Sequence, residues 1–535
     1  MLTPITFWQE SGGFPLLTTM TLIPVIGMIA VLASRSSTLA LRIAVIASLM
    51  NAALSLYTLT VFDGDKIGVQ LAEQVSLFSL SYSVGVDGIN ILFIPLISCV
   101  SALLLVYISA TRVAENTRLI ATVLAYEAIL IGAFCALNLM QFWLWTVAEL
   151  VLVIIATKQS GLDQKKRHLV VRLVQFFGSS LLMTLTGFLL LAFGLIDSEH
   201  ELTFDLLTLK NNNAYLHDET LIFILLFYGF AIRMPLFPFH GWLPLLAEHN
   251  SLISLTVFVV GVKLGLYAMI RFIFPLIPGI AEQWAGFVMI ICLISIFYGA
   301  LLAFMQNNVY RLLAFATISQ AGILSLGIFS FNEHGLEGAL LLSMVYGLAS
   351  IGMLFSISLI NEQTRTVIIP RLGGLFDSHS TLALLFLITA LSTMIMPGSL
   401  GFDAGHLLIE GVTEEHEWLV SILMLTCNVL VAGFMFWAFQ RIFLAKSKRH
   451  IRYTRNDKAI FQERLIAFVI CALHIGNGLN SMPLFNLIDK DVVDLVSQYP
   501  VHSAQEDELE QSEEDNKLTE DDENSKVNED KDTLE

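Results

Sequence analysis

Apolar residues recur in long blocks from Phe14 to about Leu487, most of them close to 20 residues and separated by short polar joints. An apolar run of about 20 residues is the length of helix that crosses the roughly 30 Å hydrocarbon core of a bilayer. The blocks predict fourteen helices: 14–34, 39–63, 90–110, 118–138, 139–157, 169–195, 220–240, 251–274, 282–305, 310–331, 336–361, 381–409, 416–445 and 459–480. The predicted fold class is an all-α polytopic membrane protein. Residues 1–487 form its transmembrane domain, with repeats over about 118–274 and 282–445.

Two blocks are interrupted. The seventh reads AIRMPLFPFHGWLP, with Pro235, Pro238 and Pro244, and the twelfth reads TMIMPGSLGFDAGH, with Pro397, Gly398 and Gly401. Proline removes a backbone donor, and at membrane depth a freed carbonyl is tolerated only where neighbours or a wet cavity satisfy it. Broken helices at corresponding places in two halves point to inverted repeats with an ion path between them. A packing kink is the plainer alternative for either one alone.

Composition sharpens this picture. Of 535 residues, 56% are hydrophobic and only 14% charged, far below the quarter or so of a soluble domain. The net charge is −17, yet the stretch from Ser503 to Glu535 holds 15 acids against 3 lysines, so the membrane body is close to neutral. Residues 488–535 read as an acidic, disordered C-terminal tail.

Basic loops stay on the cytoplasmic side. Arg35 and Arg42, Arg112 and Arg118, Lys158 to Arg167, Arg311, Arg365 and Arg371, and Arg441 to Arg455 fall on alternate joints. The intervening joints are acidic, which places both termini on the outer, non-cytoplasmic side of the membrane. Arg271 sits on the wrong side for this rule, and Lys66 and Lys210 dilute it. The start, MLTPITFWQESGG, lacks the basic region of a cleavable signal, so the first block reads as a retained helix.

The costly residues carry the chemistry. Glu127, Glu149, Arg172, Arg233 and Lys263 lie inside otherwise apolar helices, where each charge costs at least about 2 to 3 kcal/mol on insertion scales. Such residues face the protein interior, pair with one another and mark ion pathways. Glu149 and Arg233 are the pair expected, with Lys263 as the central titrating group. Desolvation makes a lysine ammonium easier to deprotonate, so a carboxylate that approaches or leaves switches its charge; a guanidinium keeps its proton. A structural salt bridge is the plainer reading for Glu149 and Arg233, and a snorkelling cation for Lys263 and Arg172.

His240, beside the first break, is a candidate proton relay or a satisfied interior imidazole. Asp403 and His406, after the second break, stand in the same position. Five single cysteines without paired spacing read as core residues. No cluster, metal or dinucleotide motif is visible, so no cofactor is expected, and nothing predicts a nucleic-acid partner.

The runs FAIRMPLFPFHGWLP, VKLGLYAMIRFIFPLIP, IFYGALLAFMQNNVYRLLAFATISQAGILSLGIFS and ALSTMIMPGSLGF, with VGVDGINIL and LNLMQFWLWTVAELVLV upstream, resemble the antiporter-like subunits of respiratory complex I, most closely the M-chain type, and their Mrp-antiporter relatives. The likeness spans roughly Val84 to Phe443. It implies fourteen helices, two inverted five-helix repeats and a line of buried charges and water across the midplane. Glu149 falls on the family's fifth-helix glutamate, Lys263 on its central lysine, and Arg233 where it carries a lysine. Glu127 and Arg172 fall where acids and bases occur.

Departures concentrate in the second half. Gln320 and Tyr346 stand where the family has histidines, Asn308 and Tyr310 replace an acid and a lysine, and Gly405 replaces a glutamate. The resemblance implies a proton-translocating subunit, without a redox or hydrolytic site of its own, among other membrane subunits of a complex I-like or Mrp-like assembly. The altered second half leaves two alternatives. One is the membrane part of a Dab-type inorganic-carbon uptake system with a soluble zinc-containing partner; the other is a scaffold that conducts nothing.

Overall fold

A computed structural model describes residues 4–11, 13–77, 80–110, 116–159, 164–194, 202–211, 218–249, 260–415, 418–446 and 461–499. The first helices are α1 (Leu16–Ala33), α2 (Ser37–Val61), α3 (Phe93–Ala110), α4 (Thr117–Cys135), α5 (Leu139–Gln159) and α6 (Gln164–Gly194). The seventh apolar block divides into α7 (Glu219–Arg233) and α8 (Trp242–His249), and the eighth supplies α9 (Lys263–Ala268) with a π turn over Met269–Ile273. Then come α10 (Ala285–Phe304), α11 (Val309–Ile328) and α12 (Glu333–Thr364). The twelfth block divides into α13 (Ser380–Thr393) and α14 (Leu400–Glu415), followed by α15 (Trp418–Phe439) and α16 (Phe461–Leu479).

Among the described residues, nine helices are long and apolar enough to cross a membrane; the other apolar blocks appear as shorter or interrupted helices. The chain is thus an all-α, multi-pass membrane protein. Its helices divide by surroundings. α11 and α12 are buried almost throughout. α1, α10 and α15 expose apolar stripes such as Ile26 and Ile29, Ile290 and Ile294, and Ile422 and Val429. A helix apolar on all sides is stable only where its outer face meets lipid. Hydroxyls tie neighbours together: Ser319 Oγ donates to Ile296 O at 2.9 Å and Ser295 Oγ to Ile318 O at 3.2 Å.

Both interruptions are visible, and in each a side chain caps the broken end. After α7 the chain turns through Pro235 to Pro238, and Trp242 Nε1 donates to Ile232 O at 2.9 Å. After α13 it turns through Pro397 and Gly398, the latter at φ +85°, and Asn428 Nδ2 donates to Met394 O at 3.2 Å. Carbonyls released by the prolines are therefore met by an indole and an amide.

The sequence reading missed a hairpin. β1 (Ile5–Phe7) pairs in parallel with β2 (Val69–Leu77), which pairs antiparallel with β3 (Leu80–Val86) in the register Gln74↔Ser83 and Val75↔Tyr82. The period-two alternation of LSYSVGV carried that signal. Glu73 of β2 accepts from Leu17 N at 2.7 Å and Thr18 N at 3.0 Å, and from the Thr18 hydroxyl. It caps α1, whose own N-cap position is Pro15. Burial holds the Glu73 carboxyl above the usual carboxylate range.

One boundary needs correcting. Residues 489–496, assigned to the disordered tail, form helix α17 (Asp489–Val496). Its pattern explains why: Val492, Leu495 and Val496 point inward, and Tyr499 packs its ring 5.0 Å from that of Phe331. Asp491 accepts from Gly68 N at 2.7 Å and Gly88 N at 2.5 Å, which fastens α17 to both ends of the hairpin. The remainder of the expected tail, 500–535, lies outside the described residues.

Glu73→Ala should lower stability by about 1–2 kcal/mol, the scale of a lost helix cap, read as a lower unfolding midpoint in detergent. The Asp491 carboxyl is pushed up to about 7 by burial and by Asp87. A folded-state pKa above the unfolded value favours the folded state where the group is protonated, and that stabilisation fades as pH rises through the folded pKa. Hydrogen-exchange protection of residues 489–499, taken relative to the intrinsic exchange rate at each pH, should therefore be greater near about pH 6 than near about pH 8; equal protection at the two would contradict this.

Candidate functional site

The predicted charges converge on the C-terminal end of α7. Arg233 is the last residue of that helix, and its guanidinium forms an ion pair with the Glu149 carboxylate of α5, both side chains being 4% exposed or less. A cation at a helix C-terminus also meets the negative end of the macrodipole. Tyr126 of α4 donates its hydroxyl to Glu149 Oε1 at 2.5 Å, and the Phe177 ring lies 5.8 Å from the guanidinium. Arg233 Nε has no hydrogen-bond partner among the described residues. Three elements thus hold one carboxylate against one guanidinium.

Lys263 lies beside this pair but faces away from it. Two residues before it, Gly261 abuts the pair so closely that a Cβ there would lie 2.6 Å from Glu149 Oε1. Residues two apart on a helix point to nearly opposite sides. Lys263 accordingly faces α12, with its ammonium 5.8 Å from the Tyr346 ring and its stem against Gly347. Among the described residues no carboxylate lies within 4 Å of it, although the side chain is buried. The part of this block before Val260 lies outside the described residues.

The other predicted residues spread out. Glu127 follows Tyr126 but projects from another side of α4, where Asn51 Nδ2 donates to its Oε1 at 2.7 Å; its Oε2 has no partner among the described residues. His240 sits in the turn after the break, its ring 4.7 Å from that of Tyr298 and its Nδ1 unpartnered among the described residues. Arg172 is exposed on α6 and does not join the cluster. Its exposure follows from its place two turns into α6, just after the basic flank.

In the second half, Asp403 accepts from Ser481 Oγ at 2.5 Å, while His406 is exposed and lies 3.7 Å from Glu410. Neither touches Lys263. Gly405 has no room for a longer residue, because Ile395 fills the space where its side chain would be, 2.6 Å from an added Cβ. Gln320 is buried with Oε1 unpartnered among the described residues. Sequence reasoning missed Tyr126 as a ligand of Glu149 and treated Tyr346 only as a lost histidine. Tyrosine is common in apolar helices, so neither position carried a signal of its own.

The chain as a whole is similar to known proteins. Residues 136–431, more than half of the chain, match the family model described as NADH:quinone oxidoreductase/Mrp antiporter, TM. Subunit M of NADH-quinone oxidoreductase from Rhodobacter capsulatus is 27% identical over 472 residues, covering 85% of this chain and 90% of that one. Subunit M of the F(420)H(2) dehydrogenase of Methanosarcina mazei is 26% identical over 495 residues, covering 90% and 98%. A chain of respiratory complex I from Thermus thermophilus superposes with a TM-score of 0.78 at 25% identity, over 90% of this chain and 99% of that one. A chain of the Mrp complex from a Dietzia species superposes with a TM-score of 0.80 at 17% identity, over 92% and 99%, a likeness of fold. The chain belongs to the family of antiporter-like transmembrane subunits found in NADH:quinone oxidoreductases and Mrp antiporters.

Proposed function

We propose that this subunit moves protons across the membrane, with the Glu149–Arg233 pair controlling the charge on Lys263. The observation that carries the reading is a buried lysine beside, but not within, a buried ion pair. Opening of the pair frees the Glu149 carboxylate, which raises the affinity of Lys263 for a proton; closing it withdraws that carboxylate and favours release. Arg233 supplies a fixed charge and does not itself carry the proton. The Tyr126 hydroxyl fixes the position of Glu149 beside Arg233.

The resemblance and the relatives support the wider arrangement. The chain crosses the membrane fourteen times in two inverted five-helix repeats, with both termini on the periplasmic side of a bacterial inner membrane. It works beside other membrane subunits of a complex I-like or Mrp-like assembly, which supply the driving energy. The blocked space at Gly405 and the dispersed Asp403 and His406 favour a second reading. In that reading the first half alone lends proton flux to a soluble partner, as in a Dab-type inorganic-carbon system. Purification of the native complex and identification of its companions separates the two.

Lys263→Ala in the reconstituted complex should cut proton flux about tenfold or more, equivalent to about 1.4 kcal/mol on the barrier; flux at the wild-type level would refute the role of the lysine. Arg233→Met leaves a buried carboxylate uncompensated and should cost about 3–5 kcal/mol of stability. Glu149→Gln added to Arg233→Met should recover most of that loss while flux stays low. Equal thermal midpoints for the single and double variants would show that the pair is not coupled.

A further inference from the structure

At the break between α13 and α14 the three positions singled out from the sequence do not extend a path from Lys263, since Gly405 is packed by Ile395, Asp403 is engaged by Ser481 and His406 lies at the surface with Glu410. The helix that carries Lys263 does offer one. Tyr267 and Arg271 follow at successive intervals of four, so Lys263, Tyr267 and Arg271 form one stripe about 12 Å long. Arg271 falls in the π turn, a local widening common at functional positions. Tyr267 is buried with its ring 4.9 Å from that of Phe134, and its hydroxyl has no hydrogen-bond partner among the described residues.

The stripe ends on charges the sequence reading did not single out. Arg271 is buried and ion-paired with Asp87, which follows β3 and whose Oδ1 also accepts from Ile89 N at 3.2 Å. Beyond Asp87 stands Asp491 of α17, 9% exposed and held by Gly68 N and Gly88 N. Arg271 is thus ion-paired with Asp87, while the nearby carboxylate of Asp491 forms no ion pair among the described residues. Around this group lie Lys210, 3.8 Å from Asp494, and Lys490, 3.8 Å from Asp65, while Asp489 approaches Glu337 of α12. Arg271 serves as the standing counterion of Asp87, so Asp491 is the carboxylate left to gain and lose a proton. Burial and the neighbouring Asp87 hold its carboxyl near neutrality, at about 7.

We propose that Asp491 is the proton-exchange site through which Lys263 communicates with the face carrying the hairpin, so that the C-terminal helix forms part of the ion path. This rests on the proton-moving reading above. The Lys263 ammonium releases a proton toward Tyr267, whose hydroxyl accepts it on a lone pair as its own proton passes on through water. The Asp491 carboxylate takes that proton to become a carboxylic acid and then gives it to the aqueous phase. The same steps reversed load Lys263 from that face. Arg271, a fixed positive charge beside the route, opposes metal cations that would follow it.

The test uses the intact complex in proteoliposomes, with a pH-sensitive dye reporting flux under an imposed potential between about pH 6 and about pH 8.5. Asp491→Asn should lower flux about tenfold and remove the titration near neutrality, Asp491→Glu should retain flux with a displaced midpoint, and Asp377→Asn, at an exposed position away from this group, should match wild type. Wild-type flux and an unchanged pH profile in Asp491→Asn would overturn the proposal. If that variant loosens α17, seen as fast hydrogen exchange of residues 489–499, Tyr267→Phe decides. It removes one hydroxyl and no packing, so reduced flux supports the route and wild-type flux overturns it. Lys263→Ala separates the two levels. Loss of flux there with normal flux in Tyr267→Phe and Asp491→Asn removes only the route, whereas normal flux in Lys263→Ala removes the underlying reading.

Discussion

A charge inside a slab of hydrocarbon must be met by another charge or by a dipole, because no bulk water is there to meet it. The Glu149–Arg233 pair is where this chain answers that demand most completely. The carboxylate comes from α5 and the guanidinium from the last residue of α7, with a tyrosine hydroxyl from α4 as the third contact. Removal of either charge strands the other, so the pair ties three helices together at one point. It also leaves Lys263 buried without an ion-pair partner among the described residues, its ammonium turned toward the Tyr346 ring.

The broken helices follow from the same constraint at the level of the backbone. Prolines end α7 and α13 and release carbonyls that a bilayer would penalise, and Trp242 and Asn428 meet them. Arg233 can occupy a helix terminus deep in the protein only because that break exists. The second break has the same backbone solution but a different chemistry. At Gly405 an isoleucine fills the available space, and the nearby acid and imidazole turn to local partners. Similar folds on the two sides thus carry unequal charge.

Outside the apolar blocks, the hairpin and the C-terminal helix are held by polar caps. Glu73 closes the start of α1, and Asp491 closes two loops of the hairpin at once, next to the buried Asp87–Arg271 pair. The two Asp491 contacts join segments more than 400 positions apart. These polar contacts also account for Arg271, which breaks the charge bias of its joint: it is buried and paired with Asp87, so it is not an exposed basic residue of that face.

The membrane class, most helix positions, both interruptions and the costly residues were legible in the sequence, since each depends on local composition: run length, proline, or an ionisable group among apolar neighbours. The pairing of Glu149 with Arg233 was legible too, because few opposite charges lay within reach. The ring facing Lys263, the exposure of Arg172, the dispersal of Glu127 and His240, and the folding of 489–496 onto the hairpin were not. Each depends on which side of a helix turns toward which neighbour, and a rotation of about 100° per residue leaves that open until the helices pack. Sequence alone determined that charges lie within the membrane; tertiary structure decided which of them meet, because only packing brings α5 to the end of α7 and Asp491 to the foot of the lysine helix.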